Sequence, residues 1–208
     1  MLADGYRVHL VDVTPRHIEV ALGDLAPAGL TAEVGDAREL AWPDHRADVV
    51  LLLGPLYHLV EEADRLAALR EARRVVRPGG HVAVAAISRF ASLFDGLARG
   101  HLFQPEFRPI VERDLSNGRH LNPANRPGWF TTAFFHHPDE LRAEVASAGL
   151  SLVELVGVEG LAGWLPQLES RWAVAADREI ILSATRAVEG EAALAGLSGH
   201  LLAVARLN

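Results

Sequence analysis

The sequence predicts a doubly wound α/β domain, a Rossmann-like and mostly parallel sheet with helices on both faces. Three observations carry this. Apolar runs of strand length alternate with amphipathic stretches of helix length. One of the runs, Asp48–Leu53, is apolar at every position after the first, as suits a parallel strand buried on both faces. Pro and Gly punctuate the boundaries between runs.

The elements follow in order. Arg7–Val13 is a short strand. Thr14-Pro15 then gives an N-cap and a proline at the first helical position. The helix it starts carries Ile18, Ala21, Leu22 and Leu25 on one face and breaks at Pro27 and Gly29. Leu30–Val34 is a second strand, running into Gly35-Asp36-Ala37. Arg38–Arg46 is a loop. Asp48–Leu53 is a strand followed by GPLYHL. Glu61–Val76 is a helix with Leu66, Leu69, Ala72 and Val76 toward the core. An i,i+4 pair, Glu61–Arg65, is expected on its surface. Pro78-Gly79-Gly80 ends it, and His81–Ile87 is the next strand. Residues 89–137 are irregular, aromatic and rich in Pro, Asn and Gly. Such a length between regular elements marks a lid or a binding loop. Asp139–Ala148 is a helix, and His137 before it is a candidate N-terminal cap. Ser151–Val156 is a strand, GVEGLAGWLP a loop, 168–189 helical, and His200–Arg206 a last strand. No repeat or linker divides the 208 residues, so one domain is expected with 89–137 as its cap.

Composition narrows the function. Half the residues are hydrophobic and 23% charged, as in an ordinary globular chain. Twenty basic against 27 acidic residues leave a net charge of −7, which disfavours nucleic acid as a partner. Every basic residue is Arg. Without Lys there is no Gly-x-x-x-x-Gly-Lys loop. Without Cys there are no disulfides, thiolate metal sites or Cys nucleophiles. No His/Asp/Glu set has metal-ligand spacing, and no Gly-x-Ser-x-Gly elbow is present. No signal peptide is read at the N-terminus, and the longest apolar run is too short to span a bilayer. A cytoplasmic protein with a small-molecule partner, and no membrane partner, is expected.

Ligands of open α/β sheets bind outside the carboxyl ends of the strands. Three such ends carry distinctive residues. Asp12 ends HLVDV and has two carboxylate oxygens to offer a ribose diol. Asp36 is an acceptor suited to an adenine amino group, beside the small Ala37. Gly54 allows close ligand approach, with Tyr57 and His58 on the same loop.

In this order and spacing, GYRVHLVDVTPRHIEVA, EVGDAREL, ADVVLLLGPLYHL and ALREARRVVRPGGHVAVAAIS resemble the class I S-adenosylmethionine-dependent methyltransferases, of the small-molecule "type 11" group. FTTAFFHHPDELRAEVASAGL and GHLLAVARLN resemble their C-terminal half. The resemblance implies an antiparallel last strand and S-adenosylmethionine as cofactor. It implies that Asp12, with Val13 beside it, holds the ribose hydroxyls and that Asp36 and Ala37 frame the adenine. Leu53, Gly54 and Tyr57 would lie near the methionine half. The expected reaction is methyl transfer to a small acceptor, with Tyr57, His58 and His136 as candidate bases. His101, Trp129, Phe130 and Phe134 are candidate walls of the acceptor pocket, with Phe135 beside them.

The family's first strand and Gly-rich turn have no counterpart, since Met1–Gly5 match the tail of the helix that follows that turn. A truncated N-terminus is the expectation. With it come weak cofactor binding, exposed strand edges, or direct pairing of the two strands that would flank the absent one. Gly157, Gly160 and Gly163 follow a strand and are expected to border the substrate pocket rather than replace the cofactor loop. Two other readings stand beside this one: an inactive remnant or interaction module, and an NAD(P)-dependent oxidoreductase using Asp12 for a ribose.

Overall fold

The computed structural model describes residues 1–23 and 28–208, so Leu25 and Pro27, assigned above to a helix and its break, lie outside the described residues. The strand, turn and helix signals at the start all form. Val8–Asp12 is β1, Pro15–Leu22 is α1 with Thr14 at its N-cap, and Leu30–Val34 is β2. Ile18 is the buried residue of α1, whereas Leu22 is exposed. β1 and β2 pair in parallel, residue for residue from Val8↔Leu30 to Asp12↔Val34.

Ala47–Leu52 forms β3, Pro55–His58 the short helix α2, Glu62–Val75 the helix α3 and Val76–Ser88 the long strand β4. The helix ends before Pro78-Gly79-Gly80, and β4 runs through those residues. Gly80 is needed there because a Cβ would meet the Asp48 carbonyl at 2.7 Å. Pro138–Ser147 is α6, Ser151–Gly157 is β7, Leu168–Trp172 and Ala175–Arg186 are α7 and α8, and His200–Arg206 is β8. β4 pairs β3 in parallel and β8 antiparallel; β8 in turn pairs β7 antiparallel. β7 therefore points the same way as β4, and β8 is the antiparallel last strand that was expected.

The core lies where α3 and α6 cover this sheet. Leu69, Val76, Val82, Val84, Leu141, Val145, Leu201, Ala203 and Ala205 are all inaccessible or nearly so. The alternation in β8 is clean: 201, 203 and 205 are buried, and 200 and 206 are exposed.

β3 departs from the expectation of burial on both faces. Val49, Leu51 and Leu53 are 48%, 43% and 49% exposed, while Leu52 is buried. The reason is position. Among the described residues β3 pairs only with β4 and β1 only with β2, so the flanking strands do not pair with each other. An edge strand keeps one row of backbone groups unpaired, and the face of β3 that carries Val49, Leu51 and, just past the strand, Leu53 is open to solvent.

Residues 89–137 are more regular than their composition suggests. They hold Ala91–Ala98 (α4), Arg108–Asn117 (α5), Arg119–His120 (β5) and Ala133–His136 (β6). Phe107, Ile110, Val111 and Trp129 form a small core of their own. Both ends are pinned at the end of β4. Ile87 and Ser88 pair Phe135 and His136, the Arg89 amide donates to the His136 carbonyl at 2.7 Å, and Arg89 Nε donates to the Phe135 carbonyl at 2.8 Å. Gly118 permits this closure. Its φ is +72°, and a Cβ would stand 2.3 Å from the Phe135 carbonyl oxygen.

Candidate functional site

The parallel strands end on one rim. Asp12 is the last residue of β1, and Asp36 follows the end of β2 by two residues. Gly54 and α2 follow β3, and the segment 89–137 leaves from the end of β4. Arg38 links the two halves of this rim. It chelates Asp36 through Nε and Nη2 and reaches Asp64, in the first turn of α3, at 3.0 Å. From there the 36–46 loop descends along α3. The Leu40 amide donates to Glu71, and the amides of His45 and Arg46 donate to the carbonyls of Arg74 and Val75.

Both rim carboxylates are held ionised. The Thr14 backbone N–H, at 2.7 Å, and then His17 hold the Asp12 carboxyl below its usual range. The Arg38 side chain and then its N–H do the same for Asp36. Ala37 packs on the main core and fixes the backbone beside Asp36. Val13 is exposed next to Asp12.

α2 carries the third group. Leu56 is completely buried and anchors the turn, which leaves Tyr57 half-buried against Ile87, Ala133 and Phe135. The Tyr57 hydroxyl donates to the Leu53 carbonyl at 3.2 Å, and His58 is exposed beside the Tyr57 ring.

The other predicted residues are not gathered on the rim. His136 is fully buried with Nε2 toward Glu144 at 3.2 Å, because β6 pairs with β4 and turns it inward; it is not placed to serve as a base on a bound acceptor. Burial pushes its pKa down, so the ring is neutral at pH 7. Phe134 is buried beneath the Arg65 guanidinium, whose carbon lies 3.6 Å from the ring centroid, and Trp129 is buried against Phe107 and His101. These two are core rather than open walls. Phe130, with φ +62° and 47% exposure, is the exposed ring of the predicted pocket walls, and His101 is half-buried against Phe107 and Trp129. A cleft of about 380 Å³ between α3, α6 and β5 is lined by Glu61, Arg119 and Glu140, and of the predicted residues it touches only Phe134. His137 is the N-cap of α6, in a capping box with Glu140.

Two ionic groups escaped the sequence reading. Arg65 does not pair with Glu61, which pairs Arg119 instead; Arg65 is buried against Glu144 at 2.7 Å. Glu159 accepts from the Ser198 hydroxyl, the His200 amide and His200 Nδ1, where β7 ends and β8 begins. Burial raises the Glu159 pKa, but these donors outweigh it and hold the group at about 2. The carboxylate in turn raises His200. Glu159 therefore adds stability above its ordinary 4.5 and loses it as the pH falls toward 2, while His200 adds it below 6.5 and loses it as the pH rises through its raised value. The pair is complete from about pH 4.5 to 6.5. An NMR titration should find His200 titrating above 6.5 and Glu159→Gln should bring it down; an unshifted His200 in the parent chain would refute the pairing.

Comparison with known proteins agrees with this architecture. The family described as "Methyltransferase domain" matches residues 1–84. A ubiquinone biosynthesis O-methyltransferase of Azorhizobium caulinodans is 32% identical over 172 residues, 82% of this chain and 58% of the relative. A ubiquinone/menaquinone biosynthesis C-methyltransferase of Azotobacter vinelandii is 25% identical over 169 residues, 77% of this chain and 62% of the relative. The chain thus spans about three fifths of the length of these relatives. In fold, a SAM-dependent methyltransferase of Methanosarcina mazei superposes with TM-score 0.60 at 14% identity, covering 98% of this chain and 83% of that one. Over residues 1–84 in sequence, and over nearly its whole length in fold, the chain is similar to S-adenosylmethionine-dependent methyltransferases.

Proposed function

We propose that this chain binds S-adenosylmethionine along the rim and transfers its methyl group to a small-molecule acceptor. The observation that carries the reading is the set of two ionised carboxylates and a Tyr-bearing turn at the ends of parallel strands. The residues fit the cofactor's adenosine. Each Asp12 oxygen takes one donor from the protein, and a carboxylate oxygen accepts more than one, so capacity remains for two hydroxyls. Arg38 engages both Asp36 oxygens, so an adenine amino group would share them with that side chain, beside the small Ala37; a Cβ on Gly54 would meet only the Tyr57 hydroxyl, at 3.7 Å.

When bound, the cofactor supplies an electrophilic methyl group on a sulfonium. The chain's contribution is placement. Asp12 and Val13 orient the ribose, Asp36 and Ala37 orient the adenine, and Leu53, Gly54 and Tyr57 border the methionine half. Holding acceptor and methyl in line is the main source of rate in such a displacement. Of the candidate bases, Tyr57 and His58 stand on the rim. The segment 89–137, rooted at the same rim, caps the bound cofactor and acceptor, and Phe103 and Phe130 are its exposed aromatics. Support comes from the named relatives, two of which act in quinone biosynthesis by name.

Isothermal titration of the chain with S-adenosylmethionine and, separately, with NAD tests the reading. Saturable binding of the first and none of the second is the expected result. Binding of NAD alone, or of neither, would refute it.

A further inference from the structure

We infer that Arg65, held by Glu144, is a positioning residue for the turn that carries Tyr57, an inference that rests on the cofactor reading of that turn. Arg65 sits on the second turn of α3 and is 3% exposed. Its Nη1 donates to the carbonyls of Leu59 and Val60, at 3.1 and 2.7 Å. These are the two residues that follow α2. Nε and Nη2 donate to the Glu144 carboxylate at 2.9 and 2.7 Å, and the flat of the guanidinium lies on Phe134.

The arrangement has a direction. Glu144 is fixed on α6 and bonded by His136 Nε2, and the donation from Arg65 and His136 keeps it ionised despite burial. One edge of the fork is therefore set by the core. The remaining edge fixes the Leu59 and Val60 carbonyls, and the Leu59 amide closes α2 by donating to the Pro55 carbonyl at 3.0 Å. A four-residue helix is too short to hold itself. Its exit is fixed from α3, so the rotation of α2 and the direction of Tyr57 follow from a contact 79 residues apart in sequence, Arg65 to Glu144. The planar fork is essential to this, since Lys has the charge but cannot bridge a carboxylate and two carbonyls at once.

The test compares Arg65→Lys with Val145→Ala, a core substitution on α6 that leaves the fork intact, at temperatures equally far below their melting points. Hydrogen exchange is read over residues 54–61 and over β8, and S-adenosylhomocysteine affinity is read by titration. Arg65→Lys should speed exchange in 54–61 selectively and weaken S-adenosylhomocysteine roughly tenfold, the scale of one charge-assisted hydrogen bond; Val145→Ala should do neither. Exchange in 54–61 unchanged, or raised no more than in Val145→Ala, would overturn the inference. So would faster exchange with unaltered affinity. If the parent chain binds no S-adenosylhomocysteine, the cofactor reading falls, and the exchange comparison alone supports or overturns the fixing of the turn.

Discussion

Glu144→Ala is expected to be among the most damaging single substitutions in this chain, costing about 3–5 kcal/mol of stability. The partner it leaves behind is the reason. Arg65 and Glu144 are both nearly inaccessible. Together they neutralise each other and satisfy most of their hydrogen-bonding capacity. With the carboxylate gone, a guanidinium stays buried with two carbonyls as its remaining hydrogen-bond partners, and His136 loses the acceptor for Nε2 while its Nδ1 already has no hydrogen-bond partner among the described residues. Removing one member of a buried pair costs far more than the pair contributes when whole. Chemical denaturation measures it. A loss below about 1 kcal/mol, the range of an exposed pair, would mean that the network is wet and that its burial has been misjudged.

Leu56→Ala is expected to cost about 2–5 kcal/mol. Leu56 is fully buried in the main core, yet it belongs to α2, between Gly54 and Tyr57. The lost methyl groups leave a cavity under the rim, so the same substitution should weaken S-adenosylmethionine binding as well as stability. Melting and titration of one preparation check both. A destabilised variant with unchanged cofactor affinity would separate the turn from the site.

Much of the fold was legible because local signals agreed with it. Thr14-Pro15 starts α1, Gly118 and Gly149 follow the ends of α5 and α6, and the apolar runs became strands within a residue or two, except that β4 begins at Val76 rather than His81. The rim acids were legible for the same reason: an apolar run ending in Asp places a carboxylate at a strand end. What was missed is long-range. Glu61 was expected to pair Arg65 by helix spacing, but burial against α6 gave Arg65 a drier and better-aligned partner, Glu144. His136 stands among the candidate bases in the sequence, and only the pairing of β6 with β4 shows it to be core. In 89–137 the Pro and Gly content masked two helices, α4 and α5, although Pro109 at the first turn and Gly118 past the end were both signals for α5. The Glu159–His200–Ser198 group joins two strand ends about 40 residues apart and leaves no local pattern.

The central claim is that the carboxylate at the end of β1 grips the cofactor's ribose. The most direct measurement is the affinity of S-adenosylhomocysteine for the parent chain and for Asp12→Ala, titrated side by side at one ionic strength. The account predicts saturable binding by the parent and a loss of roughly 1.5–3 kcal/mol in the variant, as expected for charge-assisted hydrogen bonds to hydroxyls. That is a ratio of about ten to 150 in dissociation constant. Equal affinities would contradict it, and would place the ribose away from Asp12.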